Sequence, residues 1–195
     1  MASEPTIAKR ASLNVALVHW PIRDRAGNIV CTNVTNFDIH DIARASRTYG
    51  VDQYFIVNRM KEQLMFVSRV LEHWKVGTGS KYNPKRKTAL GMVKLTENVE
   101  QAISSFKERP FVVGTTARDL AIPRVSFREL REKAWDPGHR PILLIFGTGF
   151  GLADSVLDQC DALLEPLKGA SMDDYRHLSV RSAVSICLDR LLGAW

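Results

Sequence analysis

The sequence predicts an α/β fold built on a mostly parallel sheet with helices on both faces. Apolar runs of strand length alternate with stretches of helical period along most of the chain, as in successive β–α units. Several of these runs end in loops of glycine and other small residues, where parallel sheets usually bind their ligands. The 195 residues, 45% of them hydrophobic, can form one self-sufficient core. We therefore expect a flexible tail over residues 1–10 and a single domain over residues 11–195.

The first half of the chain begins with an apolar run that ends at Pro21. Further on, Ile39, Ile42 and Ala43 have helical spacing, and Gly50 stands where a helix commonly ends. The next apolar run is followed by residues that recur every three or four positions, which indicates an amphipathic helix. The expected elements are a strand over 13–20, a helix over 38–49, a strand over 54–57 and a helix over 60–77.

The second half has the clearer signals. Ser126 with Glu129 three positions later forms a capping-box pattern, and residues 136–139 (DPGH) are typical of a turn. Ser179 and Gly193 stand where the last helix should begin and end. The expected elements are strands over 92–95, 111–113, 141–146 and 162–164, and helices over 98–107, 126–134, 152–157 and 179–193.

Residues 77–87 (GTGSKYNPKRK) are predicted to form a loop, because they contain two glycines and an Asn-Pro pair. Lysine and arginine can contact phosphates, and an unstacked base can lie on a tyrosine ring, so this composition suits RNA. A solvated surface loop is the alternative interpretation of such a run of charges. The residues expected to bind RNA are Lys81, Tyr82, Lys85, Arg86 and Lys87.

Composition restricts the remaining function classes. The formal net charge of +6 attracts polyanions, which is compatible with nucleic acid but does not require it. The three cysteines are far apart and the histidines are dispersed, so we expect neither disulfides nor a metal cofactor. No apolar run is long enough for a membrane span, and the first residues lack the apolar core of a secretory signal, so we expect a cytoplasmic location and no membrane partner.

Three of the predicted strands end in small-residue loops, with the sequences VGTTAR (113–118), FGTGFGL (146–152) and EPLKG (165–169). The carboxyl ends of parallel strands meet at one edge of a sheet, so one nucleotide-like ligand could contact all three loops. Neither the dinucleotide-binding fingerprint GxGxxG nor a phosphate loop GxxxxGK[ST] occurs in the chain. A dehydrogenase or kinase is therefore disfavoured, and simple tight turns remain the structural alternative.

The segments LIFGTGFGL, DALLEPLKG and HLSVRSAVSICLDRLLG, within residues 141–193, resemble in their order the three signature motifs of the SPOUT methyltransferases. The chain is most similar to the bacterial TrmD-like RNA methyltransferase domains, and YNPKRKTAL and VVGTTAR also resemble that family. The resemblance implies a deep trefoil knot near the C-terminus and S-adenosylmethionine as the cofactor. It further implies a homodimer, with the acceptor RNA lying across both subunits.

The same motifs imply which residues hold the cofactor. Small residues would expose the main chain to the adenine and ribose, while the apolar side chains would supply a slot for the adenine ring. The residues carried over are Thr115, Thr116, Ala117, Gly147, Thr148, Gly149, Gly151, Leu167, Leu178, Ser179, Val180 and Ser182.

Two candidate catalytic residues come from residues 38–44 (DIHDIAR), which resemble the first motif of the ribose-methylating branch. Arg44 stands where that motif has its arginine, whereas Asp38 stands where it has an asparagine. An arginine remains protonated at neutral pH, so it is better suited to anchor a phosphate than to accept a proton. Asp173, Asp174, His177 and His40 are further titratable candidates, each with a helix-cap or surface role as the alternative.

Three functions follow from these patterns. The first is an enzyme that transfers methyl groups from S-adenosylmethionine to tRNA or rRNA. The second is a regulatory module that binds RNA and the cofactor in the same knotted fold without catalysis. The third is a doubly wound enzyme that acts on a small molecule and has no affinity for RNA.

Overall fold

A computed structural model describes residues 9–116, 118, 120–173, 175 and 177–194 of the chain. Most of the expected tail and the candidates Ala117 and Asp174 lie outside the described residues. The strands, in chain order, are β1 (Leu13–Val18), β2 (Ile22–Arg23), β3 (Ile29–Val30), β4 (Gln53–Val57), β5 (Val93–Thr96), β6 (Phe111–Gly114), β7 (Arg124–Val125), β8 (Ile142–Gly147) and β9 (Ala162–Leu164). The helices are α1 (Asn36–Thr48), α2 (Lys61–Lys75), α3 (Thr78–Tyr82), α4 (Pro84–Gly91), α5 (Val99–Ser104), α6 (Phe127–Ala134), α7 (Asp154–Leu157) and α8 (Val180–Leu192).

Seven strands form one sheet in the order β5-β4-β1-β8-β6-β9-β7. Every neighbouring pair in it is parallel, which confirms the predicted α/β class and the parallel sheet. Val15 of β1, for example, lies opposite Tyr54 of β4 and Leu144 of β8. All carboxyl ends of the strands consequently lie along the same edge of the sheet.

Alternation along the strands divides the core into two layers, one on each face of the sheet. On β1, Leu13, Val15 and Leu17 pack towards α1, α2, α4, α6 and α8. Ala16 and Val18 pack on the opposite face, towards α5 and α7. Both faces are therefore covered by helices, as predicted, and the central strands are apolar on both sides.

Local capping chemistry sets the helix ends. The side chain of Ser126 begins α6 in a capping box with Glu129, and Ser179 begins α8 by accepting a hydrogen bond from the backbone N–H of Ser182. Gly50 follows the end of α1 with φ of +74°, a conformation that side chains with a Cβ rarely adopt. These ends agree with those predicted from the sequence.

The prediction of a loop over residues 77–87 is wrong, because most of that segment lies in α3 and the first turn of α4. The side chain of Asn83 accepts a hydrogen bond from the backbone N–H of Arg86, and Pro84 occupies the first turn of α4. Asparagine is a good N-cap, and proline at the first helical position loses no hydrogen bond. The Asn-Pro pair therefore starts a helix instead of a loop.

The polar segment between β1 and α1 also contains structure that the sequence did not indicate. Ile22 and Arg23 pair in antiparallel fashion with Val30 and Ile29, so β2 and β3 form a short hairpin outside the main sheet. Among the described residues, no helix has the length and apolar character needed to cross a bilayer.

Candidate active site

A cleft with a volume of about 830 Å³ opens at the carboxyl ends of β6, β8 and β9. Its size is typical of small-molecule and cofactor sites. The residues that line it are Arg23, Asp24, Arg25, Gly27, Thr115, Thr116, Arg118, Phe146, Gly147, Thr148, Gly149, Phe150, Gly151, Leu164, Glu165, Pro166, Leu167, His177, Leu178, Ser179, Val180, Ala183 and Cys187. The three small-residue loops thus meet at one site, together with the N-terminus of α8 and the β2–β3 hairpin.

The loop after β8, residues 147–151, has little space for side chains at its start. A Cβ atom on Gly147 would lie 2.8 Å from the backbone nitrogen of Leu152, closer than real Cβ atoms come to backbone. Gly151 has φ of +101°, a region that residues other than glycine rarely adopt. This loop, called the glycine loop below, therefore needs glycine at both positions and presents its main chain to the cleft.

The β2–β3 hairpin forms one wall of the cleft and is bonded to the glycine loop. The backbone N–H of Arg23 donates to the carbonyl of Gly151 (2.9 Å), and the N–H of Phe150 donates to the carbonyl of Arg23 (3.1 Å). Beyond these bonds, the hairpin tip is closed by Asp24, whose carboxylate accepts from the backbone and side-chain nitrogens of Asn28 (2.8 and 2.9 Å). The wall is therefore held at its base and at its tip.

Side-chain hydrogen bonds join the glycine loop to the segment before α1. Nδ1 of the fully buried His19 lies 3.0 Å from Oγ1 of Thr32, and that hydroxyl lies 2.5 Å from Oγ1 of Thr148. Thr148 donates in turn to the carbonyl of Val18 (3.2 Å). Burial lowers the pKa of His19 to about 4, against the opposing charge of Asp38, so the ring is neutral at pH 7.

His19, Thr32 and Thr148 form a hydrogen-bonded chain, called the relay below, that ends at the carbonyl of Val18. In the assignment that keeps the bond from Thr148 to Val18, the Thr148 hydroxyl accepts from Thr32, and Thr32 accepts from an Nδ1–H on His19. The carbonyl of His19, 3.4 Å from Oγ1 of Thr32, is the longer alternative acceptor for the Thr32 hydroxyl. Nε2 of His19, which has no hydrogen-bond partner, then carries no proton. An unpaired buried acceptor is less unfavourable than an unpaired buried N–H. A buried neutral histidine therefore orients Thr148 at the edge of the cleft.

The opposite side of the cleft is apolar and comes from the loop after β9 and the start of α8. Leu167 and Val180 are partly buried against the main core, and their side chains also line the cleft. Glu165 at the same loop is already engaged, because its carboxylate accepts a hydrogen bond from the backbone N–H of Phe127 (2.6 Å) at the start of α6. An aromatic ring such as adenine could be held between the two apolar side chains.

Ten of the twelve residues expected at the cofactor line the cleft, counting from the described residues. Ser182 does not, since it lies one turn into α8 with its N–H donated to Ser179. Ala183 and Cys187 of the same helix line the cleft instead, and burial raises the pKa of the Cys187 thiol to about 12. The remaining residue of that expected set, Ala117, lies outside the described positions.

Sequence reasoning missed the charged groups of the cleft. Arg23 and Arg118 both pair with Asp154 (2.9 and 3.2 Å), which ties the hairpin and the loop after β6 to the start of α7. Arg118 ends the VGTTAR segment and Arg23 lies in β2, 95 residues earlier in the chain, so only the tertiary structure reveals that they share Asp154. His177, considered as a titratable candidate, does line the cleft, in edge contact with the ring of Tyr175.

The candidates Asp38 and Arg44 lie on α1, outside the lining of the cleft. Asp38 is buried and caps α1, since its carboxylate accepts hydrogen bonds from the backbone N–H (3.0 Å) and hydroxyl (2.6 Å) of Thr35. It also pairs with Arg181 of α8 at 3.5 Å. Arg44 is exposed on the same helix. The structure thus gives Asp38 a clear structural role and leaves Arg44 accessible.

The residues expected to bind RNA gather beside α1 and α2. The guanidinium of Arg86 lies over the ring of Trp74 (4.6 Å), and the rings of His40 and His73 meet the same indole edge-on. Burial and the nearby Arg86 and Arg44 lower the pKa of His40. Tyr82 is 89% exposed. Residues Lys81, Tyr82, Lys85, Arg86 and Lys87, called the basic cluster below, therefore lie on α3 and α4, and Arg86 among them lies near His40 of α1, as Arg44 does.

Among the described residues, no group of three or more histidine, cysteine, aspartate or glutamate side chains is arranged to hold a metal ion. The cysteines Cys31, Cys160 and Cys187 are free thiols. Burial raises the pKa of Cys160 to about 12, so this thiol is a poor nucleophile at neutral pH.

Comparisons with known proteins agree with this geometry. Residues 12–193 match the family model described as SAM-dependent RNA methyltransferase. The chain is 44% identical over 188 residues to a tRNA (guanine-N(1)-)-methyltransferase of Nitratidesulfovibrio vulgaris, with 93% of this chain and 42% of that protein covered. It is 37% identical to an uncharacterized protein of Aquifex aeolicus, with 92% of this chain and 87% of that protein covered.

A similar fold is found in the crystal structure of TrmJ from Z. mobilis. The TM-score is 0.63 at 14% sequence identity, and the match covers 95% of this chain and 70% of that one. At this identity the likeness concerns the fold alone. The chain spans about two fifths of the length of the N. vulgaris relative, but most of the length of the A. aeolicus relative.

Proposed function

The chain belongs to the family of SAM-dependent RNA methyltransferases, and on that premise we propose that it methylates a nucleotide of tRNA or rRNA. The observation that carries the proposal is the meeting of three small-residue loops and the start of α8 in one cleft at the carboxyl edge of the sheet. The cofactor itself carries the reactive methyl group, on a sulfonium, so the protein must supply binding, alignment and electrostatics.

The cleft fits the cofactor in two respects. At its base the glycine loop leaves no space for a Cβ at Gly147, so backbone groups can approach a ribose or adenine edge closely. On the other side, Leu167 and Val180 supply an apolar slot. The residues that we propose to hold the cofactor are Thr115, Thr116, Gly147, Thr148, Gly149, Gly151, Leu167, Leu178, Ser179 and Val180.

We propose that the acceptor RNA contacts the basic cluster and Arg44. Arg44, on α1, and Arg86, on α4, both lower the pKa of His40, which supports their lying on one surface. Arginines on such a surface can anchor phosphates of a folded RNA. Arg44 would then act in positioning the acceptor, and Asp38 would act by holding the start of α1.

A homodimer is also part of the proposal, and a surface on α1 and α8 supports it. Phe37 at the start of α1 is 66% exposed, and the guanidinium of Arg181 from α8 lies over its ring at 5.3 Å. Leu178, just before the N-cap of α8, and Ile186, within α8, are exposed apolar residues. Exposed apolar patches with a polar rim mark protein interfaces, and aromatic residues and arginine are enriched there.

The deep trefoil knot and a cytoplasmic location complete the proposal. The position of β8 between β1 and β6, with α8 returning to pack on both α1 and α6, is compatible with the C-terminal segment threading through an earlier loop. A cytoplasmic location suits an enzyme whose acceptors are tRNA or rRNA.

Two measurements test the function. Calorimetry with S-adenosylhomocysteine tests the cleft, and we expect one binding site per chain. Incubation with tritiated S-adenosylmethionine and bulk tRNA or rRNA tests catalysis, and we expect label in the RNA. Binding without transfer to any RNA would favour a regulatory module, and absence of binding would refute the proposed cofactor cleft.

A further inference from the structure

We propose, on the basis of the proposed function above, that Arg25 at the tip of the β2–β3 hairpin binds a phosphate of the acceptor nucleotide at the mouth of the cleft. The tip residues Asp24, Arg25 and Gly27 line the same cleft as the glycine loop and the start of α8. The hairpin lies outside every segment that the sequence motifs single out.

Two of the three described arginines that line the cleft already have ion-pair partners. Arg23 and Arg118 are both engaged with the carboxylate of Asp154, and Arg118 also donates to the carbonyl of Leu152. Within the part of the chain that the structure describes, the guanidinium of Arg25 has no hydrogen bond or ion pair, and the side chain is exposed. Of the described arginines that line the cleft, Arg25 alone is thus ready to bind an anion.

The tip that carries Arg25 is organised before any ligand binds. Asp24 accepts two hydrogen bonds from Asn28, and the backbone N–H of Asp24 donates to the carbonyl of Asn28 (2.9 Å). These bonds also lower the pKa of Asp24, so its carboxylate stays charged and committed to the turn. The neighbouring carboxylate therefore does not neutralise Arg25 by pairing with it, and the turn limits where the guanidinium can go.

The charges of the cofactor and of the acceptor RNA indicate which of these two ligands Arg25 binds. The cofactor carries a sulfonium and an ammonium against a single carboxylate, so a free cation at the mouth does not attract the molecule as a whole. RNA presents one phosphate per nucleotide, and a guanidinium fork matches phosphate oxygens well. An exposed position at the mouth, beyond the backbone of the glycine loop, suits the acceptor side of the cleft.

The test compares Arg25→Ala with Lys107→Ala in the full chain. Lys107 is an exposed cation that precedes β6, at the edge of the sheet away from the cleft, so its removal changes the net charge equally. Binding of bulk tRNA is measured across a salt series, and binding of S-adenosylhomocysteine is measured by calorimetry. A third variant, Arg25→Lys, keeps the charge but loses the planar fork.

We expect Arg25→Ala to weaken tRNA binding about fivefold to tenfold and to lower the salt slope of log K by about 0.7 to 0.9, as for one lost phosphate contact. Arg25→Lys should fall between Arg25→Ala and the unmodified protein, and Lys107→Ala should change the affinity less than twofold. Affinity for S-adenosylhomocysteine should be unchanged in all three variants.

Two results would overturn the inference. One is a loss of S-adenosylhomocysteine affinity in Arg25→Ala with tRNA binding intact, because Arg25 would then hold the cofactor's carboxylate. The other is an equal effect, or no effect, of Arg25→Ala and Lys107→Ala on tRNA binding. Both results are measurements of binding and do not depend on methyl transfer. A failure of the proposed catalysis would instead appear as a lack of tritium transfer to RNA by the unmodified protein.

Discussion

Replacing Thr32 by valine tests whether the relay of His19, Thr32 and Thr148 holds the edge of the cleft. Valine has nearly the shape of threonine but lacks the hydroxyl that lies 3.0 Å from His19 and 2.5 Å from Thr148. The substitution leaves one buried N–H of His19 without a partner, whichever ring nitrogen carries the proton. It also removes the donor to Thr148, so that the side chain of Thr148 keeps only its bond to Val18.

The expected cost follows from these two losses. An unpaired buried donor costs about 1 to 3 kcal/mol, and a lost hydrogen bond about 1 kcal/mol. We therefore expect Thr32→Val to lower the free energy of unfolding by about 2 to 3 kcal/mol, measured by urea denaturation with an unchanged slope. Since Thr148 lines the cleft, the affinity for S-adenosylhomocysteine should also fall. We expect a decrease of about tenfold, which corresponds to a loss of about 1.4 kcal/mol of binding free energy.

Thr32→Ser is the matched control, because serine keeps the hydroxyl and loses only a methyl group. It should cost about 1 kcal/mol or less and leave the affinity for S-adenosylhomocysteine nearly unchanged. Equal stability of Thr32→Val and the unmodified protein, or an equal loss in the serine and valine variants, would refute the reasoning.

The other perturbations act on the glycine loop, the buried histidine and the basic cluster. Gly147→Ala should abolish S-adenosylhomocysteine binding in calorimetry, because its Cβ would lie 2.8 Å from the backbone nitrogen of Leu152. Since burial lowers the pKa of His19 from 6.5 to about 4, the unfolded chain binds more protons between these values. Stability should therefore fall by about 3 kcal/mol as the pH drops from 7 to 4, and His19→Gln should flatten that part of the profile in urea denaturation. Lys85→Ala combined with Arg86→Ala should weaken tRNA binding and lower the salt slope by about 1.4 to 1.8 in a filter-binding series.

Each of these has a control and a contrary outcome. Gly91→Ala, where an added Cβ meets nothing within 4 Å, should bind S-adenosylhomocysteine normally. Binding by Gly147→Ala with unchanged affinity would place the cofactor elsewhere. A pH profile of His19→Gln with the slope of the unmodified protein would assign the acid loss to other groups. Unchanged tRNA affinity and salt slope in the double variant would exclude the basic cluster from the RNA surface.

Local patterns were sufficient for the helices and strands that have strong signals of their own. The capping box at Ser126, the cap at Ser179 and the glycine after α1 each act within one turn, so they can be recognised without knowing the fold. The same local reasoning failed over residues 77–87, which were predicted to form a loop, because the Asn-Pro pair is the N-cap and first position of α4. Two-residue strands such as β7 are too short to carry a periodic signal.

The α/β class, the loops that surround the cleft and the family resemblance could be predicted from the amino-acid sequence, because alternation, capping and glycine motifs are encoded within a few residues. Three features came from the tertiary structure: the β2–β3 hairpin is bonded to the glycine loop, Arg23 and Arg118 share Asp154, and Arg25 has no partner among the described residues. These facts depend on distances between residues that are far apart in the chain, and the order of strands in the sheet sets those distances.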